Sequence, residues 1–137
     1  DRDVVLAAVA QNGAALRYAD ASLQGDRDVV LAAVTQNGEA LEYADKSFRR
    51  DRDVASAAAA HCSWGLAYAD DTLQRDRDFV LAAIAFDGYA LQFADTSLKG
   101  DRDFVKAAVA QNAEALQFAI LCNESFMRDR DVVLAAV

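Results

Sequence analysis

The nine residues DRDVVLAAV occupy positions 1–9, return letter for letter at 26–34, and appear again at 129–137. A phrase repeated this faithfully marks an array of equivalent units, and its period must be settled before any local reading. The triplet Asp-Arg-Asp that opens it occurs six times, at 1, 26, 51, 76, 101 and 129. The first five starts are 25 residues apart and the last step is 28. The sequence therefore divides into units 1–25, 26–50, 51–75, 76–100 and 101–128, the last with a three-residue insertion, and a partial unit 129–137. Leucine-rich repeats share this length, but their alternating L-x-x-L-x-L strand pattern is absent.

Within one unit the pattern is helical. Asp1 suits an N-cap, and Asp3 in the first turn suits the positive end of the helix dipole. Val4, Val5, Ala8 and Val9 follow helical spacing, and Leu6, Ala7 and Ala10 fill much of the remaining circumference. A helix apolar nearly all round is covered on several sides. The run stops at Gln11-Asn12-Gly13, where Gly13 is expected as a left-handed residue closing the helix. A short second helix over 14–19 follows, with Ala15, Leu16, Tyr18 and Ala19 expected to face inward. Asp20 then caps one further turn whose Leu23 points back to the core. Helices this short are marginal alone, so each unit must be stabilised by its neighbours. The fold expected is an all-α helical-repeat solenoid, each 25-residue unit holding one helix of about 11 residues, one short helix and one further turn.

Composition narrows the function classes. The chain is 54% hydrophobic and contains no proline, which argues against disorder. The longest apolar runs fall far short of the roughly 18 residues that cross a bilayer, so direct membrane insertion is not expected. Net charge is −8, which disfavours nucleic acid as a partner. Most of that charge comes from the recurring triplets, each carrying two acids and one base, and so reflects architecture rather than a binding patch. The arginine of one triplet is placed to reach an aspartate of the next. Calcium chelation by the same acids is the alternative, and the interleaved arginines oppose it. Cys62 and Cys122 fall two units apart, beyond the roughly 7 Å reach of a disulfide, so both are expected reduced. That favours an intracellular or organellar setting. No charged and apolar leader precedes the first unit, and a start on a unit boundary with an end inside a helix suggests an excerpt of a longer array.

Differences between units carry the functional reading. The third has Ala55, Ser56 and Ala59 where others carry larger residues, and Ser63 where others have glycine. Trp64 stands at an outward position held elsewhere by Ala14, Glu39 and Glu114. In the fourth unit Tyr89 takes that same position and Phe86 replaces a glutamine. His61, Trp64, Phe86 and Tyr89 are thus expected on one surface across two adjacent layers. Two main readings of Trp64 stand open. It refills volume lost at Ala55, Ser56 and Ala59, or it anchors a protein partner as exposed aromatics do; contact with a cofactor or pigment is a third. His61 and Cys62 point about 100° apart on a helix and have no further Cys or His within reach, so no metal site or nucleophile is expected. No phosphate-binding loop, zinc-binding helix motif or basic stripe is present, and no catalytic residue or cofactor is expected.

The stretch DRDVVLAAVAQNGAALRYADASL at 1–23 resembles the helical repeat known as domain of unknown function 4116. Its units read much like Asp-Arg-Glu-Val-Val-Leu-Ala-Ala-Val, then Gln-Asn-Gly, Ala-Leu-x-Tyr-Ala and a serine-containing turn. Asp3 stands where glutamate is frequent, and the third unit departs most from the pattern. The resemblance covers essentially all 137 residues. It implies helical arrays, found in algal and other protist proteins and in some proteins of intracellular bacteria, and it implies no catalytic residues. The function expected is a non-enzymatic scaffold for protein–protein interaction. The alternatives are a structural or linker subunit of a large assembly, photosynthetic and membrane-associated among the options, and an accessory module of a larger effector.

Overall fold

A computed structural model describes residues 1–137 and contains helices joined by tight junctions, without strands. The chain has an all-α repeat fold. Its contacts divide it into two compact units, Asp1–Asp70 and Asp71–Val137.

In the first unit the long helices are Arg2–Gln11, Arg27–Gln36 and Arg52–His61, each of 10 residues. Arg27–Gln36 packs on both of the others, so consecutive repeats stack as the spacing predicts. Each begins at the aspartate that opens a repeat. The side chains of Asp1, Asp26 and Asp51 accept hydrogen bonds from the backbone N–H groups of Asp3, Asp28 and Asp53. The core unites Val9, Leu16, Val29, Val30, Ala33, Val34, Leu41, Val54 and Ala58. Repeat 1 has a neighbour on one side only in this structure. Val4 is accordingly 65% exposed, whereas its counterpart Val29 is fully covered.

The second unit is built the same way. Arg102–Gln111 packs between Arg77–Phe86 and Arg130–Ala135, around Phe79, Val80, Ile84, Phe104, Val105, Val109 and Val132. The insertion lengthens the second helix of its repeat to Ala115–Cys122, and Ala119 stays buried like Ala44, Ala69 and Ala94. One added turn leaves the buried face unchanged, as its length predicts.

The junction after each long helix differs from the expectation. Glycine is not left-handed there, since no residue of the chain has positive φ. The work is done one residue earlier. Asn12 has extended backbone, φ −150° and ψ 107°, ends the first helix and caps the next, its side chain accepting from the N–H of Ala14. Asn37, Asp87 and Asn112 repeat this geometry. Glycine follows for lack of space. A Cβ on Gly13 would run into the carbonyl oxygen of Ala33 in the next repeat, and one on Gly38 into that of Ala58.

The second helices over Gly13–Tyr18, Gly38–Glu42 and Gly88–Phe93 are 3-10 helices. With three residues per turn, positions three apart share one side. Gly38, Leu41 and Ala44 are buried together, as are Gly88, Leu91 and Ala94. This corrects the inward placement of Tyr18, which lies off that side and is 81% exposed, with the Arg17 guanidinium 5.0 Å from its ring centre.

Candidate partner-binding surface

Two sets of polar contacts hold consecutive repeats in register and define where variable side chains project. The first joins the triplets. Arg2 donates to Asp26 and Asp28, and Arg27 donates from Nη1 to Asp51 at 2.8 Å and from Nη2 to Asp53 at 3.2 Å. In the second unit Arg102 donates to Asp129 and Asp131, and Arg77 to Asp101 at 3.4 Å. The arginine hydrogen bond and charge hold Asp26 and Asp129 below the usual carboxylate range. The first acid of each triplet caps its helix, and the second acids Asp28, Asp53 and Asp131 take an arginine of the preceding repeat. No cluster of His, Cys, Asp or Glu has the arrangement of a metal site.

The second set lies at the far end of each repeat. The N–H groups of Asp45, Asp70 and Asp95 donate to the carbonyls of Gln24, Arg49 and Gln74 at 2.8–3.0 Å. Arg50 and Arg75 reinforce this edge by donating to Asp70 and Asp95. The series stops at the insertion, where a cavity of about 320 Å³ lies between Thr96, Lys99, Gly100, Cys122 and Asn123.

Against this regular frame the third repeat is irregular in a specific way. Its second helix, Ser63–Tyr68, is an α-helix. Cys62 occupies the junction with the same extended backbone, φ −160° and ψ 128°, but makes no side-chain cap. Gly65 stands where the other repeats have Ala15, Ala40, Ala90 and Ala115. A Cβ there would lie 2.7 Å from the backbone nitrogen of Ala59 and closer still to Ala58. The helix has therefore closed onto Arg52–His61. This backbone approach at Gly65, beside the nearly buried Ala59, is a feature the sequence reading missed. Ser56 is exposed, so its small size removes nothing from the core.

The structure places the four candidate residues on different units, His61 and Trp64 on the first, Phe86 and Tyr89 on the second. His61 ends its long helix and is exposed, and Trp64 retains 43% exposure at the start of the following helix. Phe86 is 68% exposed at the end of Arg77–Phe86, the position of Gln11, Gln36 and Gln111 in other repeats. Tyr89 does not project freely as expected. It is half-buried, with its ring edge-on to Phe93 at 5.6 Å and to Phe118 at 4.9 Å between centres. Tyr89 is thus a packing residue between the second helices of repeats 4 and 5, and its aromatic neighbours explain the inward turn.

The frame of aspartate caps, extended junctions and short turns recurs over the whole length, with Gln-Asn-Gly at the junctions of repeats 1 and 2 and substitutions in the others. Segments 1–49, 51–99, 76–120 and 101–137 each match the model of one family, described as domain of unknown function (DUF4116). The chain belongs to the DUF4116 family. No curated protein and no solved structure matches it. The overlapping matches show that the DUF4116 repeat is tandem here. Both cysteines of the DUF4116 chain are free thiols, Cys62 half-buried and Cys122 exposed. No helix in it is long and apolar enough to cross a membrane.

Proposed function

We propose that this DUF4116 chain is a non-enzymatic scaffold whose repeats hold a protein partner through exposed aromatic side chains. The observation that carries the reading is Phe86, a phenylalanine 68% exposed at a position where other repeats place glutamine. An aromatic ring about two-thirds exposed adds little buried area to the fold, and aromatic anchors of this kind dominate binding energy at protein interfaces. Trp64 supports the reading from the first unit, an aromatic side chain 43% exposed where repeats 1, 2 and 5 place alanine or glutamate.

The test is a pair of variants, Phe86→Gln and Trp64→Glu, in the chain as it occurs in its native source. Proteins co-purifying with the wild type should be lost from the variants while both remain folded, the unfolding free energy of Phe86→Gln staying within about 0.5 kcal/mol of wild type, as for surface changes generally. Retention of every co-purifying protein by both variants would overturn the reading.

A further inference from the structure

We propose that the second repeat carries an oxyanion-binding cleft, built for a phosphate group, at the turn Lys46-Ser47-Phe48-Arg49-Arg50. Three of the 14 basic residues of a chain with net charge −8 fall within these five positions, without an acid among them. Equivalent positions in repeat 1 are Ala21, Gln24 and Gly25, in repeat 3 Asp71, Gln74 and Arg75, and in repeat 4 Thr96, Lys99 and Gly100. The concentration of charge therefore belongs to this repeat alone and is no requirement of the fold.

The fold makes the cluster concave. Phe48 packs against the core and anchors the 3-10 turn Lys46–Arg49, and Asp45 caps it by accepting from the N–H of Ser47 at 2.9 Å. Lys46, Ser47, Arg49, Arg50 and Asp70 then line a cleft of about 520 Å³. Its wall holds three cations against one carboxylate. Asp70 receives the Arg50 Nε–H at 3.0 Å, which leaves the terminal nitrogens of that 77%-exposed side chain to a ligand. Asp45 is turned to its own helix, held ionised first by the backbone N–H and then by the hydroxyl of Ser47.

Arg49 is the third cation of the cleft. One terminal nitrogen donates to the Glu42 carbonyl at 3.3 Å, in the way Lys99 serves Gln92 in repeat 4. Its Nε–H is sealed from solvent and has no acceptor, the one buried side-chain nitrogen or oxygen left so in the structure. A buried N–H without an acceptor is costly. The same guanidinium belongs to the lining of the cleft, beside Lys46 and Arg50, and planar guanidinium groups match phosphate oxygens well. The shared chemistry is a phosphate dianion, either free or carried on a phosphorylated side chain of a partner.

The full chain is titrated by calorimetry and amide NMR at low salt with inorganic phosphate, a phosphoserine peptide, and the same peptide unphosphorylated. Saturable phosphate binding is expected, with shifts confined to residues 45–50 and 70. Lys46→Glu and Arg50→Gln, both at exposed positions, should each weaken it by on the order of tenfold. Tighter binding of the phosphopeptide than of phosphate assigns the cleft to a phosphorylated partner, and equal binding assigns it to free phosphate. Phosphate binding that is undetectable, or unchanged in both folded variants, overturns the proposal, as does measurable binding of the unphosphorylated peptide as tight as that of the phosphorylated one.

Discussion

Gly13 and Ala33 belong to consecutive repeats, and the carbonyl oxygen of Ala33 fills the place where a Cβ on Gly13 would stand. Gly38 and Ala58 repeat the relationship one layer on. The thickness of a layer is therefore set by backbone touching backbone, with a glycine on one side and an alanine on the other.

Glycines in this chain should accordingly respond to alanine in opposite directions. Gly38→Ala forces two repeats apart and is expected to cost about 1–3 kcal/mol, the usual penalty of overpacking. At Gly25 the nearest atom to a new Cβ is the Ala21 carbonyl oxygen at 3.4 Å, and φ is −96°, which any residue adopts. Gly25→Ala should therefore be neutral or stabilise by up to about 1 kcal/mol through reduced freedom of the unfolded chain. Denaturant unfolding of the two variants decides it. Equal destabilisation of both would show that close approach is not the cause.

The third repeat lacks a cap that the others possess. Cys62 has the extended backbone of Asn12 and Asn37 but no side-chain oxygen to receive the N–H two residues on. Cys62→Asn should supply that acceptor and raise stability by about 1 kcal/mol, while Asn37→Ala should lower it by a similar amount. A chemical-denaturation midpoint that falls on Cys62→Asn would contradict this account of the junction.

These two cases also show what the letters alone disclose. The period, the aspartate caps and the triplet ladder were legible because each rests on local chemistry repeated at fixed spacing. The role of Gly13 was not, because its reason lies 20 residues away in the Ala33 carbonyl. A left-handed helix end and a close approach both select glycine, and only the neighbouring layer tells them apart. Gly65 was passed over because its purpose, closure onto Ala58 and Ala59, exists only in three dimensions. Of the four candidate surface residues, Phe86 and His61 stand exposed and Trp64 partly so, while Tyr89 turns to Phe93 and Phe118. An outward helical position predicts direction only until a neighbouring ring offers a better contact.

Acid should loosen the edge contacts in a defined window. Asp95 is held down to about 2 by the Ser97 hydroxyl first, then by the Ser97 N–H and by Arg75. Asp20, Asp26, Asp45, Asp101 and Asp129 are lowered as well. A carboxylate whose folded pKa lies below its unfolded value near 3.9 adds stability that is complete above that value. The contribution is lost as pH falls from about 4 toward about 2. Unfolding midpoints should thus be flat from about pH 7 to 5 and drop below about pH 4, with carboxyl NMR titration showing Asp95 shifted upward in Ser97→Ala. A stability maximum near pH 3 would be incompatible with these caps.

The insertion in the fifth repeat permits a sharper test of the repeat itself. Ile120, Leu121 and Cys122 follow Ala119, which is buried like Ala44, and precede Asn123, whose side chain accepts from the N–H of Ser125 as Asp45 does for Ser47. Removing the three residues joins Ala119 to Asn123 and restores the spacing of Ala44 to Asp45. Leu121 is 70% exposed, so the deletion sacrifices little core. The shortened chain should fold with undiminished helical circular dichroism and donate from the Asn123 N–H to the Lys99 carbonyl, continuing the series seen at Gln24, Arg49 and Gln74. In the parent the Asn123 N–H donates to the Ala119 carbonyl at 2.9 Å, so a change in the Asn123 amide shift together with that of Gly100 checks the exchange of partners. Loss of folding on deletion would mean that the added turn is integral to the packing of repeat 5 and that the 25-residue frame does not govern its register.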